Sequence, residues 1–334
     1  MALKLSILDQ SPVISGHTPA QAVAATLALA RAAEGLGYHR YWLAEHHAIA
    51  ALADPCPEVV LARLGAETKR MRIGTGGVLL PYYSPFKVAE VFRMLEALYP
   101  GRVDLGIGRA PGGDARTAHA VGGGQMPTAD DFPQRVWEVV GHLDGTLPED
   151  HPHRHVRLQP GGDTAPEVWL LGSSDYSGAL AAQMGLRFAF AHFINPRGGD
   201  AVTRAYRERF RPSTREAAPA AIVCVFVICA ETDAEAERLA ASIDLRRLHM
   251  ALNLDTPVPT LAEAEAHAYT EEERRYVRAQ RERAVIGAPA HCRDALLALA
   301  ERYAADEVMA LTITGDYATR LRSYELLAEA FGLA

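Results

Sequence analysis

Cysteine is scarce in this 334-residue sequence, which has four cysteines and no C-x-x-C pair. Without that spacing, the sequence indicates neither a cysteine-ligated zinc site nor a thiol redox motif. Cys224 and Cys229 are an odd number of positions apart, so they would face opposite sides of a strand. We therefore expect all four, including Cys56 and Cys292, to be buried free thiols.

Long apolar runs and massed charge of one sign are also missing. The longest uninterrupted apolar segment, 220–230, is too short for a transmembrane helix and predicts a buried strand. Lys4 and Asp9 interrupt the first apolar stretch, so we expect no secretory signal and a cytoplasmic protein. The formal charge of −7 is spread over mixed acidic and basic residues, which favours neither nucleic acid nor a membrane surface as a partner. The expected partner is a small molecule.

Segments of strand and helix character alternate along the whole chain. Apolar segments predict eight strands, at 3–8, 40–44, 71–74, 103–107, 168–171, 187–191, 222–228 and 308–313. Helices are predicted at 18–36, 54–69, 84 to before 100, 174–184, 197–210 and 232–245. Thr18 and Gln21 form a capping box, and Pro19 suits the first helical position. Buried strands alternating with helices indicate a parallel sheet covered by helices.

A glycine-rich dinucleotide fingerprint is missing after the first strand, where residues 9–12 read Asp-Gln-Ser-Pro. This absence disfavours an open, doubly wound sheet. We therefore predict an α/β fold, a (β/α)₈ TIM barrel that forms one domain over residues 1–334. The long intervals at about 110–165 and 246–305 are interpreted as insertions after strands four and seven, which in such barrels shape the substrate mouth.

Polar side chains or glycines follow six of the eight predicted strands. In a barrel of this kind, the active site lies where the carboxyl ends of the strands meet. The residues concerned are Asp9, Glu45, His46, His47, Gly76, Gly77, Gly108, Arg109, Ser173, Ser174 and His192. We expect the set to form a shared site.

The run Glu45-His46-His47 combines two imidazoles with a carboxylate that can orient one ring or raise its pKa, as a general base near neutral pH requires. We take His46 and Glu45 as candidate catalytic residues. A histidine hydrogen-bonded for structural reasons is the alternative. A metal site is disfavoured, because adjacent histidines on a strand point to opposite faces and no H-E-x-x-H motif is present.

Ser173 and Ser174 stand at the predicted start of a helix, with Ser177 one turn further on. Hydroxyls and free backbone N–H groups at a helix N-terminus can bind a phosphate. An ordinary N-cap would produce the same pattern. Arg109 favours the phosphate interpretation, because the barrel could place its guanidinium group nearby.

Five segments resemble the luciferase-like monooxygenase family and keep its order. They are SILDQSP at 6–12, YWLAEHH at 41–47, GTGGVLLP at 74–81, PGRVDLGIGR at 100–109 and GSSDYSGALAA at 172–182. The resemblance implies a (β/α)₈ barrel that binds reduced FMN and uses O₂ to insert one oxygen atom into a small organic substrate. It also implies that His46 is the catalytic histidine, with Glu45 beside the flavin.

The resemblance assigns further roles around the flavin. Gly76 and Gly77 match a non-proline cis peptide under the flavin ring. The flavin phosphate is matched by Arg109, Ser173, Ser174 and Ser177. Bacterial luciferase has a reactive cysteine where this chain has Gly108, so light emission is not expected.

Two partners follow from the same resemblance. The missing dinucleotide fingerprint suggests a separate NAD(P)H:flavin reductase, and the helices after strands two and three match a homodimer contact.

Two other functions are considered: hydride transfer with a deazaflavin, which needs no oxygen, and flavin binding without turnover. The Glu-His-His run disfavours the last of these, because passive binding needs no base.

Overall fold

A computed structural model describes residues 3–109, 113–128 and 130–333 of the chain. Its ten strands are β1 Lys4–Asp9, β2 Arg40–Leu43, β3 Arg72–Thr75, β4 Val78–Leu79, β5 Val103–Gly108, β6 Glu167–Gly172, β7 Arg187–Ala191, β8 Ala221–Cys229, β9 Ala284–Gly287 and β10 Glu307–Leu311. The strands pair in parallel, and β10 pairs with both β1 and β8, which closes the sheet into a barrel. Eight strands form the barrel, while β4 pairs with β5 and β9 with β8 at its rim. The predicted (β/α)₈ barrel is confirmed.

Helices surround this barrel and cover one of its ends. They are α1 Pro19–Gly35, α2 Pro57–Glu67, α3 Pro85–Leu98, α4 Ala115–Val121, α5 Phe132–Asp144, α6 Asp175–Met184, α7 Gly199–Glu208, α8 Asp233–Ala251, α9 Leu261–Ala266, α10 Glu271–Gln280, α11 Pro289–Tyr303 and α12 Tyr317–Phe331. The predicted capping box of Thr18 and Gln21 begins α1. Over the described ranges, no helix is long and apolar enough to cross a membrane.

The apolar residues form two layers because successive side chains of a strand point to opposite faces. Those that face outward, such as Ile73 and Leu105, pack under the helices, while those that face inward, such as Trp42 and Met309, fill the barrel. Cys229 belongs to the outer layer and Cys224 to the inner one, as their spacing predicts.

All four cysteines are free thiols, but the expectation that all are buried is wrong for one of them. Cys56 is exposed, immediately before α2. The helix starts later than predicted because Asp54 accepts a hydrogen bond from the Cys56 N–H (3.0 Å), which forms a turn ahead of Pro57.

A buried ionic cluster fills the barrel at the amino ends of the strands. Arg40 donates to Asp104 (2.6 Å) and to Glu307 (2.8 Å), and Trp42 Nε1 also donates to Asp104 (2.9 Å). Burial would raise the pKa of Asp104, but Arg40 and Arg72 hold it below its usual value. Each charge is paired, as a buried charge must be to remain ionised. The cluster closes this end of the barrel and leaves the carboxyl end for a site.

The two insertions differ in what they cover. The first contains α4 and α5, and α5 packs against α3. The predicted helix 232–245 is the first part of α8, which runs on into the second interval and places Leu239 and Ile243 in the inner layer, against residues that follow the carboxyl ends of the strands such as Ile313. The helix that covers β8 from outside is α11, whose Leu296 lies in the outer layer. Residues 289–303 thus supply the outer helix of the seventh unit, and α8 covers the mouth of the barrel.

Candidate active site

A cavity of about 300 Å³ opens at the carboxyl end of the barrel, which is the lower end of the range for small-molecule sites. Its lining includes all eight predicted site residues: Glu45, His46, Gly76, Gly77, Arg109, Ser173, Ser174 and Ser177. These residues come from the ends of four different strands and the start of α6. The fold therefore brings them together as predicted, whereas their individual roles remain predictions.

Glu45 uses both carboxylate oxygens to fix the wall of the cavity. Its Oε1 accepts a hydrogen bond from the Tyr83 hydroxyl (2.6 Å) and lies 2.7 Å from His47 Nε2, while Oε2 accepts from the Leu79 N–H (2.9 Å). Of the two imidazoles in the run, the Glu45 carboxylate therefore orients the ring of His47. Glu45 ties the end of β2 to the turn that follows β4.

His46 lies at the cavity with a ring that no carboxylate contacts. Burial lowers the pKa of His46 to about 4, and the carbonyl of Ala44 offsets only part of that effect. Its Nδ1 is buried and has no hydrogen-bond partner among the described residues. The ring is therefore neutral at neutral pH, which corrects the expectation of a base with a pKa near 7. A buried, unpartnered ring nitrogen is a group that a bound molecule can satisfy.

Gly76 and Gly77 form a part of the wall that has no room for side chains. The peptide bond between them is cis, as predicted. A Cβ at Gly76 would lie 2.7 Å from Leu8 Cδ1, and one at Gly77 would lie 2.7 Å from the Gly106 carbonyl oxygen. The Gly77 contact is with fixed backbone, so that position requires glycine, whereas at Gly76 the Leu8 methyl could move aside. Both residues present bare backbone to the cavity.

Gly108 lines the same cavity, but packing does not require glycine at this position. A Cβ there would lie 3.5 Å from Leu79 Cδ2 and 3.6 Å from the Val78 carbonyl oxygen, which are ordinary contacts. Packing alone therefore allows a side chain at the position where bacterial luciferase has cysteine.

The end of the cavity near α6 is rich in donors. Ser174 is the N-cap residue of α6, yet its hydroxyl makes no capping hydrogen bond. This differs from an ordinary serine N-cap, in which the hydroxyl satisfies a backbone N–H. The Ser173 carbonyl accepts a hydrogen bond from Asn195 (3.0 Å), which fixes the loop. The Arg109 guanidinium lies 4.2 Å from the centre of the Tyr176 ring and has no carboxylate partner among the described residues.

Three residues expected at the shared site are not among those that line the cavity: Asp9, His192 and His47, whose Nε2 contacts Glu45. Asp9 is fully buried and holds the chain after β1, accepting hydrogen bonds from the Ser11 N–H (2.7 Å) and Arg320 (2.6 Å). His192 Nδ1 lies 2.8 Å from the Tyr303 hydroxyl, and the ring lines a separate cavity. A strand-end position alone does not show whether a side chain turns inward or back towards its own helix layer.

The cavity also has lining residues that were not predicted. They are mainly apolar and include Trp42, Leu171, Phe190, Phe193, Ile194 and Met309, with Gln10 and Cys224. Strand alternation could have identified Trp42 and Met309 as facing inward, whereas Phe193 and Ile194 belong to a turn with no periodic signal. Within the described ranges, no group of three or more His, Cys, Asp or Glu side chains could hold a metal ion.

Comparison with known proteins identifies the family of this chain. A family profile for luciferase-like monooxygenases matches residues 3–306. The chain belongs to the luciferase-like monooxygenase family. An uncharacterised family relative, Bacillus subtilis (strain 168) YceB, is 46% identical over 329 residues, which cover 98% of this chain and 99% of the relative. N-acetyl-S-alkylcysteine monooxygenase of the same organism is 34% identical over 335 residues, with 98% of each chain covered.

Solved structures agree with this luciferase-like assignment. The crystal structure of apo-MsnO8 superposes with a TM-score of 0.90 at 39% identity and covers 99% of both chains. The oxygenating constituent of 3,6-diketocamphane monooxygenase, in complex with FMN, has a TM-score of 0.70 at 20% identity, with 98% of each chain covered. An F420-dependent secondary alcohol dehydrogenase has a TM-score of 0.67 at 15% identity and 99% coverage of each chain. The last two likenesses establish the shared fold alone.

Proposed function

We propose that this protein is a monooxygenase that uses reduced FMN and O₂ to oxygenate a small organic substrate. The observation that carries the proposal is the convergence of His46, the Gly76-Gly77 backbone, Arg109 and the Ser173-Ser174 loop on one cavity. Family membership supports the reaction class, and the name of the FMN-bound neighbour supports the cofactor. When bound, reduced FMN supplies the activation of O₂, and the chain supplies binding, orientation and exclusion of water.

The residues present fit FMN at both ends of the molecule. A flat ring needs a wall without projecting side chains, which Gly76 and Gly77 provide. A phosphate needs cationic and hydroxyl donors that the protein does not already use, which describes Arg109 and Ser174. The buried Nδ1 of His46 gains a partner when a polar ring edge lies beside it.

His46 and Glu45 have different parts in this proposal. Neutral His46 holds or moves a proton at the cavity, since its ring stays uncharged at neutral pH. Glu45 positions the wall around it through Leu79 and Tyr83. The apolar lining from Trp42 and its neighbours would keep water away from the O₂ chemistry that reduced FMN would supply.

We also propose that reduced FMN comes from a separate NAD(P)H:flavin reductase and that both proteins are cytoplasmic, because free reduced flavin must reach this cavity before O₂ consumes it.

A homodimer is proposed on an apolar surface made by α2 and α3. Val59 on α2 is 65% exposed, and Met94 and Leu98 on α3 are each 53% exposed. Exposed apolar side chains grouped in this way are typical of a contact surface.

The decisive experiment compares cofactors that differ in one group. We expect an anaerobic titration to show binding of reduced FMN and weaker binding of reduced riboflavin, which lacks the phosphate. Arg109→Met should weaken FMN binding by roughly 10- to 100-fold and leave riboflavin binding unchanged. Arg302→Met is the matched control, because Arg302 also stacks on a tyrosine, Tyr303, but lines a different cavity.

Other outcomes identify the alternative functions. Preferential binding of a reduced deazaflavin, with no oxygen uptake, would replace oxygenation by hydride transfer. Tight binding of oxidised FMN without substrate-dependent oxygen uptake would indicate a flavin-binding protein. N-acetyl-S-alkylcysteine is the first substrate to test in an oxygen electrode, because a relative is named for it.

A further inference from the structure

Arg247 is a buried cation on α8, the helix that covers the mouth of the barrel. Arg247 is 7% exposed, and its Nη2 is buried without a hydrogen-bond partner among the described groups. The Nη1 atom lies 3.4 Å from the Gln280 carbonyl oxygen and 3.9 Å from Asp244 Oδ1, which are long contacts. A buried charge is costly unless it is paired and hydrogen-bonded, and Arg247 is poorly compensated on both counts.

Asp244, the carboxylate beside Arg247, is already paired with another arginine, Arg281. Arg281 Nε lies 2.8 Å and 2.9 Å from the two oxygens of Asp244, and its Nη1 lies 2.9 Å from Glu237. The region around Arg247 therefore has an excess of positive charge. Burial lowers the pKa of Arg247 to about 10, Asp244 opposes the effect, and Arg283 adds to it. An anion placed at Arg247 would relieve this imbalance.

Arg247 does not itself line the active-site cavity and is connected to it through two aromatic rings. Its guanidinium carbon lies 4.5 Å from the centre of the Phe226 ring. Phe226 packs edge-on against Phe193, with 5.6 Å between ring centres, and Phe193 lines the cavity. A guanidinium group stacked on a ring keeps its N–H edge available for a planar, two-point partner such as a carboxylate.

We propose that the substrate is an apolar molecule that carries one carboxylate, which binds Arg247 while the apolar part lies against Phe193 in the cavity. This inference rests on the proposed function, because it names the substrate class of the same site. It distinguishes this chain's substrate from a neutral hydrocarbon or ketone. Arg247 is then a specificity-determining residue that contacts substrate and leaves the oxygen chemistry to the cavity.

The test uses octanoate and octanamide, which share a chain and differ in charge. Isothermal titration calorimetry of the full-length protein, with and without FMN, should show tighter binding of octanoate. Arg247→Met should weaken octanoate binding by roughly 10- to 100-fold and leave octanamide unchanged, since a charge-assisted pair is lost. Arg247→Lys should retain part of the preference, and Arg302→Met should retain all of it.

Thermal melting separates this role from a structural one. Because Arg247 makes only long polar contacts and its Nη2 has no partner among the described residues, Arg247→Met should melt at or above the temperature of the parent protein. Equal affinity of the parent protein for octanoate and octanamide, or an equal loss of both in Arg247→Met, would overturn the proposal. The proposal would also be overturned if Arg247→Lys and Arg247→Met both melted at a lower temperature than the parent protein and both bound octanoate as the parent does, because Arg247 would then have a structural role only.

The same samples keep the two proposals distinct. If FMN does not bind but octanoate binding depends on Arg247, the proposed function fails and the carboxylate site stands. If FMN binds and octanoate has no advantage over octanamide, only the carboxylate site fails.

Discussion

Replacing Gly77 by alanine should lower the stability of the protein and weaken FMN binding. The added Cβ would overlap Leu171 Cδ1 and would lie 2.7 Å from the carbonyl oxygen and 2.9 Å from the carbonyl carbon of Gly106. The leucine methyl can rotate away, but the Gly106 backbone belongs to β5 and is held in the barrel. Overpacking of this kind costs about 1–3 kcal/mol, because the backbone must shift.

The prediction is measured by urea unfolding and by thermal melting. An unfolding entropy of about 2.1 cal/mol/K per residue means that each kcal/mol shifts the melting temperature of a chain of this size by roughly 1.5 °C, so the melting temperature should fall by about 1.5–4.5 °C. Gly108→Ala is the matched control, since its Cβ would meet Leu79 at 3.5 Å and should leave stability nearly unchanged. Reduced FMN is titrated into both variants. Equal stability and equal FMN affinity in the two variants would refute the steric argument.

Three further predictions test the wall, the histidine and the apolar surface. Tyr83→Phe removes a hydrogen bond to a buried carboxylate and should cost about 1–3 kcal/mol in urea unfolding, whereas Tyr82→Phe should be neutral, because the Tyr82 hydroxyl has no partner among the described residues. The pKa of His46 is about 4 in the folded protein, below the value of 6.5 for an unperturbed histidine, so its stabilising effect is complete above pH ~6.5 and is lost as the pH falls towards 4. His46→Gln should therefore reduce the fall in unfolding free energy between pH ~7 and ~5, and a parent and variant with the same pH profile would contradict the low pKa. Met94→Glu should shift sedimentation from dimer to monomer, while Leu297→Glu, at a position 43% exposed on α11, should not; a monomeric parent protein would remove the dimer proposal.

The barrel and the membership of the site were predictable because both depend on local patterns. Apolar segments separated by capped helices specify strand order, and parallel strands bring their carboxyl ends to one rim. These patterns are enough to predict that His46, Arg109 and Ser174 lie at the same cavity, where the structure has them.

The partners of Glu45 were not predictable in the same way. Its hydrogen bonds reach Leu79 and Tyr83, which lie more than thirty positions along the chain in a turn without a periodic pattern. The low pKa of His46 depends on its burial in the folded protein, which sequence neighbours do not report. The covering position of α8 depends on which layer Leu239 joins, which is a matter of tertiary packing.

The buried ionic cluster of Arg40, Asp104 and Glu307 also affects how ligands enter and leave the cavity. Paired charges seal one end of the barrel. A ligand that binds in the deepest part of the cavity must therefore bind before any ligand nearer the rim, and it must leave after that ligand. Ligands therefore enter and leave through the same opening of the barrel. Residues of α8 at this opening affect the order in which ligands bind as well as which ligand is selected.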